Sequence, residues 1–154
     1  MIECKVEECS YEFVDKMFDM FEQHRIELSK YKDMVLNPDM DTYMGMQRQN
    51  QLLVITANDG NEVVGYAVFF LLKNPHYSDF LYAHQDIFYV TPHRRASRIA
   101  IRLNKFCEEE LAKRNIDVIV HHAKLTNNFG RFMESQGYNC IEKIYAKRIS
   151  DERV

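Results

Sequence analysis

His84 and Asp86 stand two positions apart in the run Ala83–Val90, which stops just before Pro92. The run is apolar and aromatic enough to read as a β-strand. Side chains alternate along a strand, so His84, Asp86, Phe88 and Val90 are expected on one face. An imidazole that titrates near neutrality is a suitable base, directly or through water. The carboxylate of Asp86 could orient it. Just beyond, residues 91–105 carry Arg94, Arg95, Arg98, Arg102 and Lys105 without one carboxylate. Small residues (Ala96, Ser97, Ala100) fill the turn, and a helix starts there. Unbonded N–H groups at a helix start, with arginines beside them, favour phosphate. Neither a Walker loop nor a GxGxxG dinucleotide turn is present. Basic residues on an outer helix face are ordinarily just solvated, so the locus alone does not name a ligand.

Other reactive side chains carry less. His121 and His122 are adjacent, and adjacent strand residues point to opposite faces, so the pair cannot chelate and no metal is assigned. Met34, Met40, Met44 and Met46 suit an adaptable pocket lining but equally an ordinary core. Cys4, Cys9, Cys107 and Cys140 form no CxxC pair and read as free thiols of a reducing compartment.

The elements that must position these residues follow from periodicity. Ile2–Val6 alternates as an opening strand. Val14, Met17, Phe18, Phe21 and Leu28 recur at helical steps after Ser10, a suitable N-cap. Asn37-Pro38-Asp39 breaks the chain before a shorter helix over 40–47. Leu52–Ala57 and Val63–Leu72 read as strands joined by the turn residues Asn58-Asp59-Gly60-Asn61. After the 83–90 strand, Ile99, Leu103, Phe106, Cys107 and Leu111 form the inner stripe of an amphipathic helix. Ile116–Val120 reads as a fully buried parallel strand, 127–135 as a helix ending at Gly137, and 140–149 as a strand closing the sheet. The order β-α-α-β-β-β-α-β-α-β implies a mixed α/β or α+β sheet flanked by helices.

Composition excludes several classes. The chain has 154 residues, 46% hydrophobic and 28% charged, with a formal net charge of -3. That is the size of one ordinary domain, and the expected organisation is a single domain over 1–154. No apolar run approaches the roughly 20 residues of a membrane helix. The acidic start, with Glu3 and Glu7, does not read as a signal peptide, so a cytoplasmic protein is expected. A nucleic-acid binder is disfavoured, because its body would be basic. One basic locus on an acidic body suits a compact anionic ligand.

The turn also carries a family signature. Arg95-Ala-Ser-Arg98-Ile-Ala100, with Val90 five residues earlier and Pro92 between, matches (Arg/Gln)-x-x-Gly-x-(Gly/Ala), with Arg98 at the middle Gly. Phe132, Glu134, Gly137 and Tyr138 match a second segment, (Phe/Leu)-Tyr-Glu-x-x-Gly-Phe, with Met133 at its Tyr. On these residues the chain resembles the GNAT N-acetyltransferases, the acetyl-CoA-dependent superfamily. The resemblance implies a GNAT-like, mostly antiparallel sheet of about six to seven strands with about four helices and one parallel crossover. It implies that Arg95, Ala96, Ser97, Arg98, Ile99 and Ala100 hold the CoA pyrophosphate through their backbone. Phe88, Tyr89 and Val90 would pair with the pantetheine arm, and the Val90 N–H would meet the oxyanion. His84 and Asp86 fall where the family places its base. One of Asn127 and Asn128 would contact the arm beside Phe132 while the other caps the helix. Met133 cannot protonate a leaving thiolate, and Tyr138 or Tyr145 would have to substitute.

The expected function is transfer of acetyl from acetyl-CoA directly to a primary amine of a small molecule or protein. The alternative is a weak or inactive relative that serves as a CoA-binding or protein-interaction module, motivated by Met133 and the lost glycine. The acidic first helix favours a cationic amine, and the last strands leave room for a homodimer.

Overall fold

The computed structural model describes residues 1–95 and 97–152. Strand β1 (Ile2–Glu7) leads to Ser10, whose Oγ accepts the Phe13 N–H at 3.1 Å and caps helix α1 (Tyr11–Leu28) as expected. Asp39 caps α2 (Met40–Arg48) by accepting the Thr42 N–H at 3.1 Å. Strands β2 (Leu52–Asp59) and β3 (Glu62–Asn74) are joined through Gly60, whose φ of +61° supplies the left-handed conformation of a two-residue hairpin turn. Strand β4 (Tyr77–Val90) runs into a 3-10 turn (Pro92–Arg94), then α3 (Ile99–Lys113), β5 (Val118–Val120) and α4 (Phe129–Ser135).

The sheet order is β1-β2-β3-β4-β5, antiparallel except for the β4–β5 pair. Register assigns the faces. Leu53, Ile55, Ala67 and Phe69 lie on one, covered by the Ile99, Leu103, Cys107 and Leu111 stripe of α3, and all of them are buried. Val54, Tyr66, Val68 and Phe70 lie on the other, where Tyr43 of α2 sits against Phe70 with ring centroids 5.9 Å apart. The hairpin, the α3 stripe and the parallel crossover therefore stand as the sequence predicts.

The chain divides into two compact units: Met1–Val14 with Asp39–His121, and Asp15–Pro38 with His122–Val154. The first holds the sheet, α2 and α3. In the second, α4 ends in a Schellman turn: Gly137 takes φ +93°, and the Tyr138 and Gly137 N–H groups bond Met133 O and Glu134 O at 3.1 Å each. Arg148 pairs in a bidentate manner with Asp33, at 2.6 and 2.7 Å.

Three expectations are corrected. Among the described residues the sheet has five strands, because 139–149 forms neither strand nor helix. Ile141, Ile144, Tyr145 and Ile149 stand exposed there, since β-branched residues make a strand only against a paired edge. Strand β4 begins at Tyr77, earlier than its apolar run suggests: 77–80 are exposed, so pairing with β3 rather than burial makes them strand. Strand β5 is three residues long and half-buried, as suits the edge of the sheet.

Candidate active site

The site grows from an irregularity in β4. Its pairing with β3 runs Val68↔Ile87 and then Phe69↔Gln85, so Asp86 is an extra residue, a β-bulge. The bulge breaks the alternation expected from sequence. His84 opposite Phe70 and Tyr89 opposite Tyr66 share the α2 face, whereas Phe88 opposite Ala67 and Val90 opposite Gly65 lie on the α3 face. His84 and Asp86 therefore do not share a face with Phe88 and Val90. An inserted residue reverses the parity of every side chain after it.

Asp86 remains on the α2 side. The Tyr43 hydroxyl donates to its Oδ2 at 2.6 Å, and among the described residues no lysine or arginine pairs with it. Burial raises the Asp86 carboxyl above the usual carboxylate range, and the Tyr43 bond partly opposes that rise. The Tyr43 phenol is itself pushed up, first by burial and then by its bond to Asp86. Tyr66 and Tyr89 are buried beside this pair, with ring centroids 5.9 Å apart. His84 stacks on Tyr82 at 6.0 Å.

The β4 edge opens beyond His84. Parallel pairing with β5 covers Tyr82, Ala83 and His84 and stops there. The Thr91 N–H bonds Val64 O on β3 at 3.0 Å. Backbone groups of alternate residues point to alternate sides, so those of Tyr89 also face β3 and the Val90 N–H points away from it. An edge of this kind accepts an extended amide-bearing chain as an added strand. His121, just past β5, bonds Gln85 Oε1 through Nδ1 at 2.7 Å, with its ring edge-on to Phe69 and Phe88. His122 is exposed, so the two histidines diverge.

The basic turn is less free than its sequence suggests. Arg94 is ion-paired with Asp59, which holds the Asp59 carboxyl below its ordinary range. Arg95 Nε donates to Val90 O at 2.8 Å, with its guanidinium 5.2 Å from the Tyr89 ring centre. Ser97 Oγ donates to Arg94 O at 2.5 Å. Arg98 is exposed at the N-cap of α3, with φ -81° and no side-chain cap bond. Its position in the signature therefore requires no glycine conformation here, and its charge stands beside the helix start. Among the described residues the first bond of this helix runs from Arg102 N to Arg98 O, so the Ile99 N–H precedes the ladder. The Ile99 side chain is buried, so only its backbone can face a ligand. Ala96 lies outside the described residues.

The remaining expected residues belong to the second unit. Asn127 Oδ1 accepts the Phe129 N–H at 3.0 Å and serves the start of α4, while Asn128 at the N-cap position makes no side-chain cap bond. Phe132 is half-buried with its ring 6.0 Å from Phe129, Met133 is buried, and Tyr138 is half-buried after the Schellman turn. An open groove of about 800 Å³ lies elsewhere in the first unit, lined by Glu7, Gln47, Leu52, Leu71, Lys73 and Arg114, and none of the candidate residues lines it. Sequence reasoning missed Tyr43. It lies 43 positions before Asp86, and the only signal was a tyrosine on a short helix.

No protein-family model matches the chain, and no curated protein matches it. Solved structures do. An aminoglycoside acetyltransferase from an uncultured soil metagenomic sample, in complex with sisomicin, is 15% identical with a TM-score of 0.71, covering 96% of this chain and 95% of its own. A ribosomal-protein-alanine N-acetyltransferase from Brucella melitensis biovar Abortus 2308 is 16% identical at TM-score 0.71, covering 97% and 100%. A protein described as a transcriptional regulator from Bacillus halodurans C-125 is 16% identical at TM-score 0.74, covering 96% and 100%. The chain shares the fold of these acetyltransferase structures, with four helices and a five-stranded mixed sheet among the described residues. Among the described residues, no helix is long and apolar enough to cross a membrane.

Proposed function

We propose that the protein is an acetyl-CoA-dependent N-acetyltransferase acting by direct transfer to a primary amine. One observation carries this reading: the β4 edge beyond His84, with a half-buried carboxylate at its bulge and an uncapped helix start just after it. Acetyl-CoA is a substrate here, and the residues present suit its chemistry. The Val90 N–H on the outer edge of β4 suits the pantetheine arm, and the α3 start with Arg98 suits the pyrophosphate.

In this reading the acceptor enters as an amine whose proton passes to Asp86, directly or through His84. The freed nitrogen pair attacks the thioester carbon, and the oxyanion is met by the outward Val90 N–H. The C–S bond then breaks and the electron pair leaves on sulfur. Met133 supplies no proton, but a thiol with pKa near 8.5 leaves as thiolate at modest cost. The thiolate then takes its proton from water. Met133 also sustains the second reading, a CoA-binding module without turnover, and amine-dependent release of the CoA thiol separates the two.

Thermal unfolding with acetyl-CoA tests the donor site. At about 100 times its dissociation constant, a ligand bound only to the folded state adds about 2.7 kcal/mol, a rise of several degrees in Tm. That rise is expected with acetyl-CoA and CoA, and a smaller one in Arg98→Ala. An unchanged Tm at every acetyl-CoA concentration would contradict the donor site.

A further inference from the structure

Asp86 sits on a bulge, where a strand has lost its ladder partner and a side chain is least constrained by the sheet. Something outside β4 must fix it, and Tyr43 does. Three contacts in turn fix Tyr43. Asp39 caps α2 at its start. Gln47, one turn beyond Tyr43, locks the helix to the β1–α1 junction through a paired amide contact with the Cys9 backbone: Cys9 N–H to Oε1 at 2.6 Å and Nε2 to Cys9 O at 2.9 Å. The Tyr43 ring rests on Phe70 of β3. Its hydroxyl thus reaches Asp86 from a helix that is anchored at both ends.

We propose that Tyr43 is a positioning residue for Asp86: its hydroxyl holds Oδ2 and leaves Oδ1 as the oxygen that takes the proton of the acceptor amine. This rests on the acetyltransferase reading and goes beyond it, by assigning a role to a helix that the signature motifs do not touch. The phenol stays protonated at any pH the enzyme meets, so it donates and does not compete for the proton. No proton moves through it. The groups facing the pair are few. Tyr66 of β3 approaches Asp86 with Tyr89 of β4 against it, Cys9 and Asp39 face Tyr43, and His84 shares the strand face. Burial keeps Tyr66 and Cys9 neutral, and Asp39 is an ionised carboxylate held below its usual range by Thr42. Of the two carboxyls in this group, Asp86 is the one that burial raises.

The sign of the effect follows. The Tyr43 bond favours ionised Asp86, so Tyr43→Phe raises the pH at which the carboxyl loses its proton. The acid limb of kcat/KM for the amine should move to higher pH. Near neutrality the loss should be roughly ten- to hundredfold, the size expected of one hydrogen bond to a charged group. Acetyl-CoA binding should be unaltered. The titration of Asp86, followed by the NMR signal of its labelled carboxyl carbon, should move upward in the same variant. That second readout needs no turnover. An unmoved carboxyl titration in folded Tyr43→Phe overturns the proposal. A uniform fall in kcat with an unmoved acid limb also overturns it, because a merely structural role behaves that way. Asp86→Asn separates the two levels: full activity in it removes the base reading itself, whereas inactivity with an unmoved Tyr43→Phe profile removes only the positioning role.

Discussion

Asp86→Asn should lower kcat/KM for amine acetylation by roughly 10²–10⁴-fold, the range expected when a general base is removed. Acetyl-CoA affinity should hold, because the variant leaves the β4 edge and the α3 start intact. Folding should hold as well. The amide preserves a partner for the Tyr43 hydroxyl and removes a half-buried charge. The sign can be stated. Because burial raises the Asp86 carboxyl in the folded state, folding binds its proton more tightly than unfolding does. The contribution of this group to stability therefore falls as pH rises through the carboxylate range, and Asp86→Asn escapes that fall. In the wild type the same carboxyl must be ionised to act, so activity should rise with pH across a limb lying above ordinary carboxylate values. Stopped-flow measurement of thiol release across pH checks both statements. Undiminished turnover in Asp86→Asn would shift the base to His84.

Gly65→Ala should destabilise the protein by about 1–3 kcal/mol, the usual cost of overpacking a tight site, and should weaken acetyl-CoA binding at the same time. A Cβ at this position would lie 2.9 Å from Tyr89 O, 3.3 Å from Val90 Cγ2 and 3.5 Å from Leu103 Cδ2. The first contact is with backbone, so β4 itself must move. Gly65 pairs with Val90, and the displaced segment is the one whose outer edge is proposed to meet the thioester. Thermal unfolding with and without acetyl-CoA reads both effects. Loss of stability with undiminished ligand response would place the thioester away from Tyr89–Val90.

Much of the fold could be read from short-range chemistry. Ser10, Gly60 and Gly137 each do what their residue types predict, because caps and turns are decided by a few neighbouring atoms. The α3 stripe is equally plain, since Ile99, Leu103, Cys107 and Leu111 repeat at helical spacing. The bulge at Asp86 was not legible. Nothing in Gln85-Asp86-Ile87 requires an extra residue, and only the register against β3 reveals it. The same limit hid Tyr43, and it made Arg94 look available when Asp59, 35 positions away, already neutralises it. Pairings between distant residues are set by the whole sheet. The chemistry at 84–100 could be listed from sequence, but which atoms of it remain open could not. At 139–149 the local β-propensity is real and the strand is absent, because propensity supplies no partner edge.

The reading as an acetyltransferase stands or falls on whether an amine draws the acetyl group off CoA. The most direct measurement is release of the CoA thiol from acetyl-CoA by the wild-type protein, across a panel of primary amines spanning polyamines, aminoglycosides and lysine peptides, with mass detection of the acetylated product. The account predicts amine-dependent thiol release with stoichiometric acetyl-amine, abolished to the extent stated in Asp86→Asn. Acetyl-CoA binding with no amine-dependent release from any member of the panel would contradict it and leave a CoA-binding module.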